Sequence, residues 1–270
     1  GTTGLTMRFI EDAPPKEIAE GESFPVGLSI ENKGAYDINK GYLSLAIEED
    51  YITEPLGDTK DILLEGKSRF NPEGESAKKM FYSDAKQLDP QSRIHDTQII
   101  ASACYEYATK LMATVCIDPD VFDTKSTEKP CTVEDLSFSG QGAPLAVTRV
   151  EQTITRNEMS ELIPAFEITI ENRGTGDVID YLRVEDFCSS SRIHRDDFNR
   201  IEIKAELAEN ELSCNPNPVR LSDEGRATFR CKTTRGVKEL PTSYTSLLSI
   251  DLRYGYAFST TKEFSIIKYS

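Results

Sequence analysis

Three aspartates within six residues form a group of potential metal ligands. Asp118, Asp120 and Asp123 are spaced so that one loop can bring their carboxylates around a hard cation such as Ca²⁺. The stretch lacks the central glycine and the distal glutamate of an EF-hand. A solvated acidic loop is the favoured interpretation. The three aspartates are the candidate calcium site, and no other cofactor is expected.

The tetrapeptide Ser-Arg-Ile-His occurs twice, and each copy is followed by acids. His95 precedes Asp96, and His194 lies close to Asp196 and Asp197, so each could form an acid–base pair. No nucleophile elbow, zinc-protease motif or phosphate-binding loop accompanies them. The sequence therefore predicts surface histidines and a protein that is not an enzyme, with a hydrolase as the third-ranked hypothesis.

Six cysteines and only two histidines favour disulfides over a metal site, because no Cys-x-x-Cys spacing occurs. Cys214 and Cys231 flank a turn–strand–turn pattern, and Cys116 and Cys131 close a loop rich in Asp, Pro and Lys. The remaining Cys104 and Cys188 would then tie the two predicted domains together. The alternative is six buried free thiols in a reducing compartment.

The composition restricts the partners. The chain carries 31 Lys and Arg against 46 Asp and Glu, a net charge of −15, which repels phosphate backbones. Nucleic acid is therefore not an expected partner. No apolar run is long enough to span a bilayer, so no transmembrane segment is predicted. The chain opens Gly-Thr-Thr-Gly without a Met, which is expected of a processed mature chain.

An internal repeat organises the chain. Residues 24–34 match residues 164–174, and in both copies apolar residues alternate along a strand that ends in Ile-Glu-Asn-(Lys/Arg)-Gly. Residues 99–108 match 248–257, including a Tyr-x-Tyr-Ala segment. Two matches in the same order indicate duplication.

Each copy has the pattern of short strands and turns that is typical of a sandwich. The copies open with strands at 5–10 and 146–154 and close with a long strand and a hairpin. Only 76–80 and 195–200 have helical character. We predict an all-β chain of two tandem immunoglobulin-like β-sandwich domains related by internal duplication, at 1–122 and 145–270, with a linker at 123–144.

The entry into the repeated strand, Gly21-Glu22 followed by the strand and its Asn-x-Gly turn, resembles the CARDB-type family of immunoglobulin-like repeats. This resemblance implies a bacterial or archaeal cell-surface protein. The cysteines and the segment 50–96 depart from the family's usual pattern.

Paired tyrosines recur in both copies, at Tyr105, Tyr107, Tyr254 and Tyr256. A sugar-binding platform normally includes Trp, which the chain lacks, so we interpret the four rings as core packing.

The functional hypothesis is an extracellular, non-catalytic structural or adhesive subunit of a cell-surface layer, sheath or filament. It would self-associate through sheet edges or its terminal strand. The alternative is an accessory module that binds a polymer or protein through its loops.

Overall fold

The computed structural model describes residues 1–53, 55, 59–124, 128–189 and 193–269. Within them the chain is all-β, as predicted, with one short helix, α1 (Val184–Cys188), and two 3-10 turns. The strands in chain order are β1 (Leu5–Phe9), β2 (Glu17–Ala19), β3 (Ser23–Asn32), β4 (Gly41–Ala46), β5 (Thr59–Asp61), β6 (Ser76–Asp84), β7 (Ile94–Ile117), β8 (Leu136–Ser137), β9 (Leu145–Arg156), β10 (Leu162–Asn172), β11 (Asp177–Ile179), β12 (Arg200–Leu207), β13 (Asn210–Asn215), β14 (Val219–Arg220), β15 (Arg226–Thr233) and β16 (Tyr244–Ile267). No helix in these ranges has the length and apolar character needed to cross a membrane.

The chain divides into two compact units, and both are discontinuous in sequence. The Cys104 unit contains Thr3–Tyr107, Thr175–Asp197 and Gly255–Ser270. The Cys214 unit contains Gly1–Thr2, Ala108–Gly174 and Phe198–Tyr254. The ranges 1–122 and 145–270 remain a prediction about the repeated sequence, whereas each compact unit draws on both repeats.

The Cys104 unit contains two sheets. One has the order β1-β3-β6, and the other has the order β5-β4-β7-β16, with β2 and β11 also pairing with β16. Val26, Leu28 and Ile30 are fully buried at alternate positions of β3, as the period-2 pattern predicted. The rings of Phe24 and Phe264 lie 5.5 Å apart and join the inner faces of the two sheets.

In the Cys214 unit, the strand order is β16-β12-β13-β15-β10-β9-β8. β10 lies between β9 and β15, with Ile168 opposite Val150 on one side and Phe229 on the other. All three of these side chains are buried. The repeated strand is therefore central in its sheet, which explains its regular apolar alternation.

The predicted closing hairpins are wrong, because β7 and β16 are each one uninterrupted strand of 24 residues. Tyr107 ends the part of β7 in the Cys104 unit, and Ala108 begins the part in the Cys214 unit. β16 is divided in the same way between Tyr254 and Gly255. The residues after Ala108 contain no Gly, Pro or Asn until the strand ends, so nothing there favours a tight turn.

Residues 76–80 form part of β6 and not a helical turn. β6 pairs with β3 from Ser23↔Asp84 to Glu31↔Ser76, so tertiary pairing overrides the local helical character. A 3-10 turn does occur at Arg195–Asp197. The helix α1 was not predicted.

Three disulfides are present, and they join the three pairs of cysteines that the sequence suggested. Cys214 and Cys231 are direct cross-strand partners on β13 and β15. Cys116–Cys131 closes the loop after β7. Cys104–Cys188 joins β7 to the end of α1, and both of its residues lie in the Cys104 unit. This last bridge therefore links the two sequence repeats inside one compact unit.

The four paired tyrosines are all buried, which confirms the interpretation as core packing. The Tyr105 hydroxyl accepts a hydrogen bond from the Leu5 N–H at 3.2 Å, and the Tyr254 hydroxyl accepts one from the Leu145 N–H at 3.4 Å. Burial raises the pKa of Tyr107 to about 12. These hydroxyls are committed to structural hydrogen bonds.

The first Asn-x-Gly turn is anchored by a fully buried asparagine. The Asn32 side chain accepts hydrogen bonds from the Gly34 N–H at 3.2 Å and the Tyr107 hydroxyl at 3.1 Å. It donates to the carbonyls of Tyr36 and Leu64. In the other repeat, Asn172 accepts from the Gly174 N–H at 3.1 Å.

Candidate functional site

The three candidate aspartates follow β7 directly and surround a lysine of the same loop. Lys129 Nζ lies 2.8 Å from an Asp118 carboxylate oxygen, 3.6 Å from Asp120, and in ion-pair contact with Asp123. These pairs raise the Lys129 pKa, first through hydrogen bonds with Asp118 and then with Asp123. Thr124 donates twice to Asp120, which orients that carboxylate.

The carboxylates thus converge, but they converge on an ammonium group of the chain itself. Within the described ranges, no group of three or more His, Cys, Asp or Glu residues is arranged to hold a metal ion. The calcium prediction remains a prediction, and it requires a cation to displace Lys129. The sequence gives no signal for the contact with Lys129, because the position of Lys129 after the aspartates does not reveal that the loop folds back.

A pocket of about 330 Å³ lies beside this ion cluster. One wall is polar and carries the aspartates and Lys129. The other wall is apolar, with Val121, Val133 and Ile154. Ile154 belongs to β9, so the pocket lies between the loop and the end of that strand.

Two further segments meet the loop at this end of the Cys214 unit. Arg156, the last residue of β9, donates to the Pro119 carbonyl at 2.9 Å and to both carboxylate oxygens of Glu239 at 2.8 and 3.1 Å. Ser243 exchanges hydrogen bonds with the backbone of Cys131. We define the loop cluster as residues 118–124, 128–135, 157–161 and 235–243.

The loop cluster presents two largely exposed apolar side chains to solvent. Phe122 is 83% exposed, and Met159, in the β9–β10 hairpin, is 76% exposed. The sequence carries a signal for Met159, which lies between Glu158 and Ser160, but none for Phe122, which follows Val121. Loops that a rigid scaffold positions often carry binding residues.

A separate groove of about 860 Å³ in the Cys104 unit is lined by residues that include Glu48, Asp96 and Thr97. His95 precedes Asp96 in the sequence and contacts Glu48. Its Nε2 is 2.9 Å from Glu48, which also accepts a hydrogen bond from Thr97 at 2.9 Å, and its ring stacks on Tyr51 at 3.5 Å. The hydrogen bond from His95 is the main reason that the pKa of Glu48 is lowered.

The groove does not join His95 to a nucleophile among the residues described. The Ser265 hydroxyl donates to Asp96 at 2.6 Å, whereas His95 contacts Glu48. Nucleophilic catalysis by serine needs the hydroxyl to donate to a base that is itself oriented by a third group.

The second histidine is exposed. The backbone N–H of His194 donates to the Asp197 carboxylate at 2.9 Å. Positions 191 and 192 of the second Ser-Arg-Ile-His lie outside the described residues.

No family model and no curated protein matches the chain. Among solved structures, the chain is similar to the secreted serine protease VesC from Vibrio cholerae, with 11% sequence identity and a TM-score of 0.23. The match covers 99% of this chain and 52% of that one, so the chain spans about half of its length. A likeness at this TM-score carries no argument about fold or activity.

Proposed function

We propose that the chain is a non-catalytic structural or adhesive subunit of an extracellular assembly. One observation carries the proposal: each compact unit contains β-strands from both sequence repeats. Neither unit can complete its sheets from one repeat alone, so unfolding either unit requires a strand of the other repeat to be withdrawn. Such construction favours resistance to unfolding.

We also propose that the two units are immunoglobulin-like sandwiches that arose by duplication and resemble CARDB-type repeats. Equivalent contacts support it, because Leu5 and Tyr105 in one unit correspond to Leu145 and Tyr254 in the other. The Asn-x-Gly turns also use the same asparagine-to-glycine hydrogen bond.

An extracellular location is supported by the three disulfides. Disulfides persist in oxidising compartments and are rare in the cytosol. The structure describes all six cysteines, and none of them is free.

The test is assembly of the purified, oxidised chain. Over a range of concentrations, sedimentation velocity should show growth beyond the monomer, and electron microscopy should show ordered polymers. A chain that remains monomeric at every concentration, with its disulfides intact, would contradict the structural function.

The loop cluster favours a second candidate, an accessory module that binds a polymer or protein. A double substitution of Phe122→Ser and Met159→Ser should abolish binding on a glycan or protein array. Phe70→Ser is the matched control, because Phe70 is 99% exposed in the Cys104 unit. Equal binding by the double variant and the control would count against this candidate.

A further inference from the structure

The outer edge of β9 leaves backbone groups available for another strand. Asn157 donates its N–H to Glu161 in the β9–β10 hairpin, so odd-numbered residues of β9 from Arg149 to Thr155 point towards β10. At the other end, the Thr148 carbonyl accepts from Phe138, so even-numbered residues point outwards. The N–H and C=O groups of Gln152 and Ile154 therefore face the outer edge.

This edge is covered only over part of its length in the described structure. β8 pairs with Arg149 and Val150, and the Gln141 side chain bonds both backbone groups of Val147. Among the residues described, no strand pairs with the outer edge of β9 beyond Val150.

β6 has a second open edge, in the Cys104 unit. The Ala85 N–H donates to Glu22 beside β3, and the Asp84 carbonyl accepts from Thr53 on the other side. Even-numbered residues therefore point outwards, so the backbone groups of Lys78, Met80 and Tyr82 lie on the outer edge. In the described ranges, β6 has β3 as its only strand partner.

The two edges differ in charge. The ion pairs around β9 and its neighbouring loop contain six carboxylates and only three cations, Lys129, Arg149 and Arg156. β6 carries two lysines, Lys78 and Lys79, and one carboxylate, Asp84 at its last position. Two β9 edges would bring acids together, and two β6 edges would bring lysines together. Charge therefore favours the mixed pair.

We infer that the chain assembles head to tail, with the β6 edge of one copy adding as a strand to the β9 edge of a second copy. The inference rests on the proposed structural function and specifies its interface. Strand addition satisfies the open backbone groups of both edges. Copies joined by this heterologous contact leave one unpaired edge at each end of the assembly. The assembly therefore grows into an open polymer unless the rotation between neighbouring copies closes a ring.

Ile154→Pro tests the backbone contact. The substitution removes an N–H that points outwards and leaves the β9–β10 ladder intact, so the variant should fold. It should stay monomeric in sedimentation velocity under conditions in which the wild-type chain polymerises. Normal polymers from a folded Ile154→Pro chain would overturn the inference.

Charge reversal provides an independent test that does not depend on proline. The Lys78→Glu/Lys79→Glu chain and the Glu151→Lys chain should each fail to polymerise alone, and their equimolar mixture should polymerise. Lys232→Glu is the control, because Lys232 is an exposed lysine on β15, which is paired on both sides. It should behave as wild type.

The outcomes separate the two proposals. If the wild-type chain never assembles, the structural function fails. If the wild-type chain assembles and the edge variants assemble equally well, only the β6–β9 interface fails. The same conclusion follows if the equimolar mixture of charge-reversed chains does not polymerise.

Discussion

The ring of Phe264 packs 5.5 Å from the ring of Phe24, although the two residues lie at opposite ends of the chain. Both are buried, and both belong to the Cys104 unit. β16, the last strand of the second repeat, therefore completes the core around β3, the repeated strand of the first copy.

This contact predicts which compact unit loses stability when a core residue is replaced. Phe264→Ala should destabilise the Cys104 unit by about 3–5 kcal/mol, the usual cost of removing a buried phenylalanine ring. Hydrogen exchange should accelerate in β3 and remain slow in β10. Phe229→Ala, in the Cys214 unit, is the control and should reverse the pattern. Faster exchange in β10 than in β3 for Phe264→Ala would contradict the discontinuous unit.

The disulfides should differ in their contribution to stability. Cys104–Cys188 has a sequence separation of 84, against 15 and 17 for the other two. The chain-entropy model assigns a stabilisation of about 4.5 kcal/mol to a loop of the first length and about 3 kcal/mol to the shorter loops. Replacing each pair by alanines should therefore lower the melting temperature most for Cys104/Cys188. A larger loss for Cys116/Cys131, measured by calorimetry, would refute this order.

Lys129 should control the response of the acidic loop to calcium. Lys129→Gln leaves three carboxylates without their ammonium, so millimolar Ca²⁺ should raise its melting temperature relative to EDTA, as expected of a ligand that binds only the folded state. The wild-type shift should be smaller. Lys238→Gln, in the same loop cluster, is the control. Equal shifts in wild type and Lys129→Gln would show that Lys129 does not compete with the ion.

The pKa of Glu48 should depend on His95. His95→Gln should raise that pKa towards its ordinary value, and Thr97→Val should raise it less, because the histidine hydrogen bond is the larger cause. Carboxyl ¹³C titration by NMR measures both. An unchanged Glu48 pKa in His95→Gln would disprove the assignment.

The same group has a defined effect on stability. Because the folded-state pKa is lowered, its contribution is present above the unfolded value and is lost as the pH falls through the folded value. The Glu48 side chain is 44% exposed, so the effect on unfolding is small. His95→Gln should therefore slightly flatten the acid limb of the stability curve.

Local features of the fold could be predicted from the residues alone. Alternating apolar residues specified β3 and β10, because a strand with one buried face repeats every second residue. The Asn-x-Gly turns and the buried tyrosines followed from residue types whose hydrogen bonds are made at fixed positions. The pairing of Cys214 with Cys231 followed from two short strands close in sequence.

Features that depend on partners distant in sequence could not be predicted in this way. The strand character of residues 76–80 comes from pairing with β3, which no local pattern encodes. The same holds for Lys129 among the aspartates and for Cys104 with Cys188 in one unit. Side chains and strands acquire these partners only when the chain folds back, because the contacts join residues far apart in sequence and local conformational preference does not specify them.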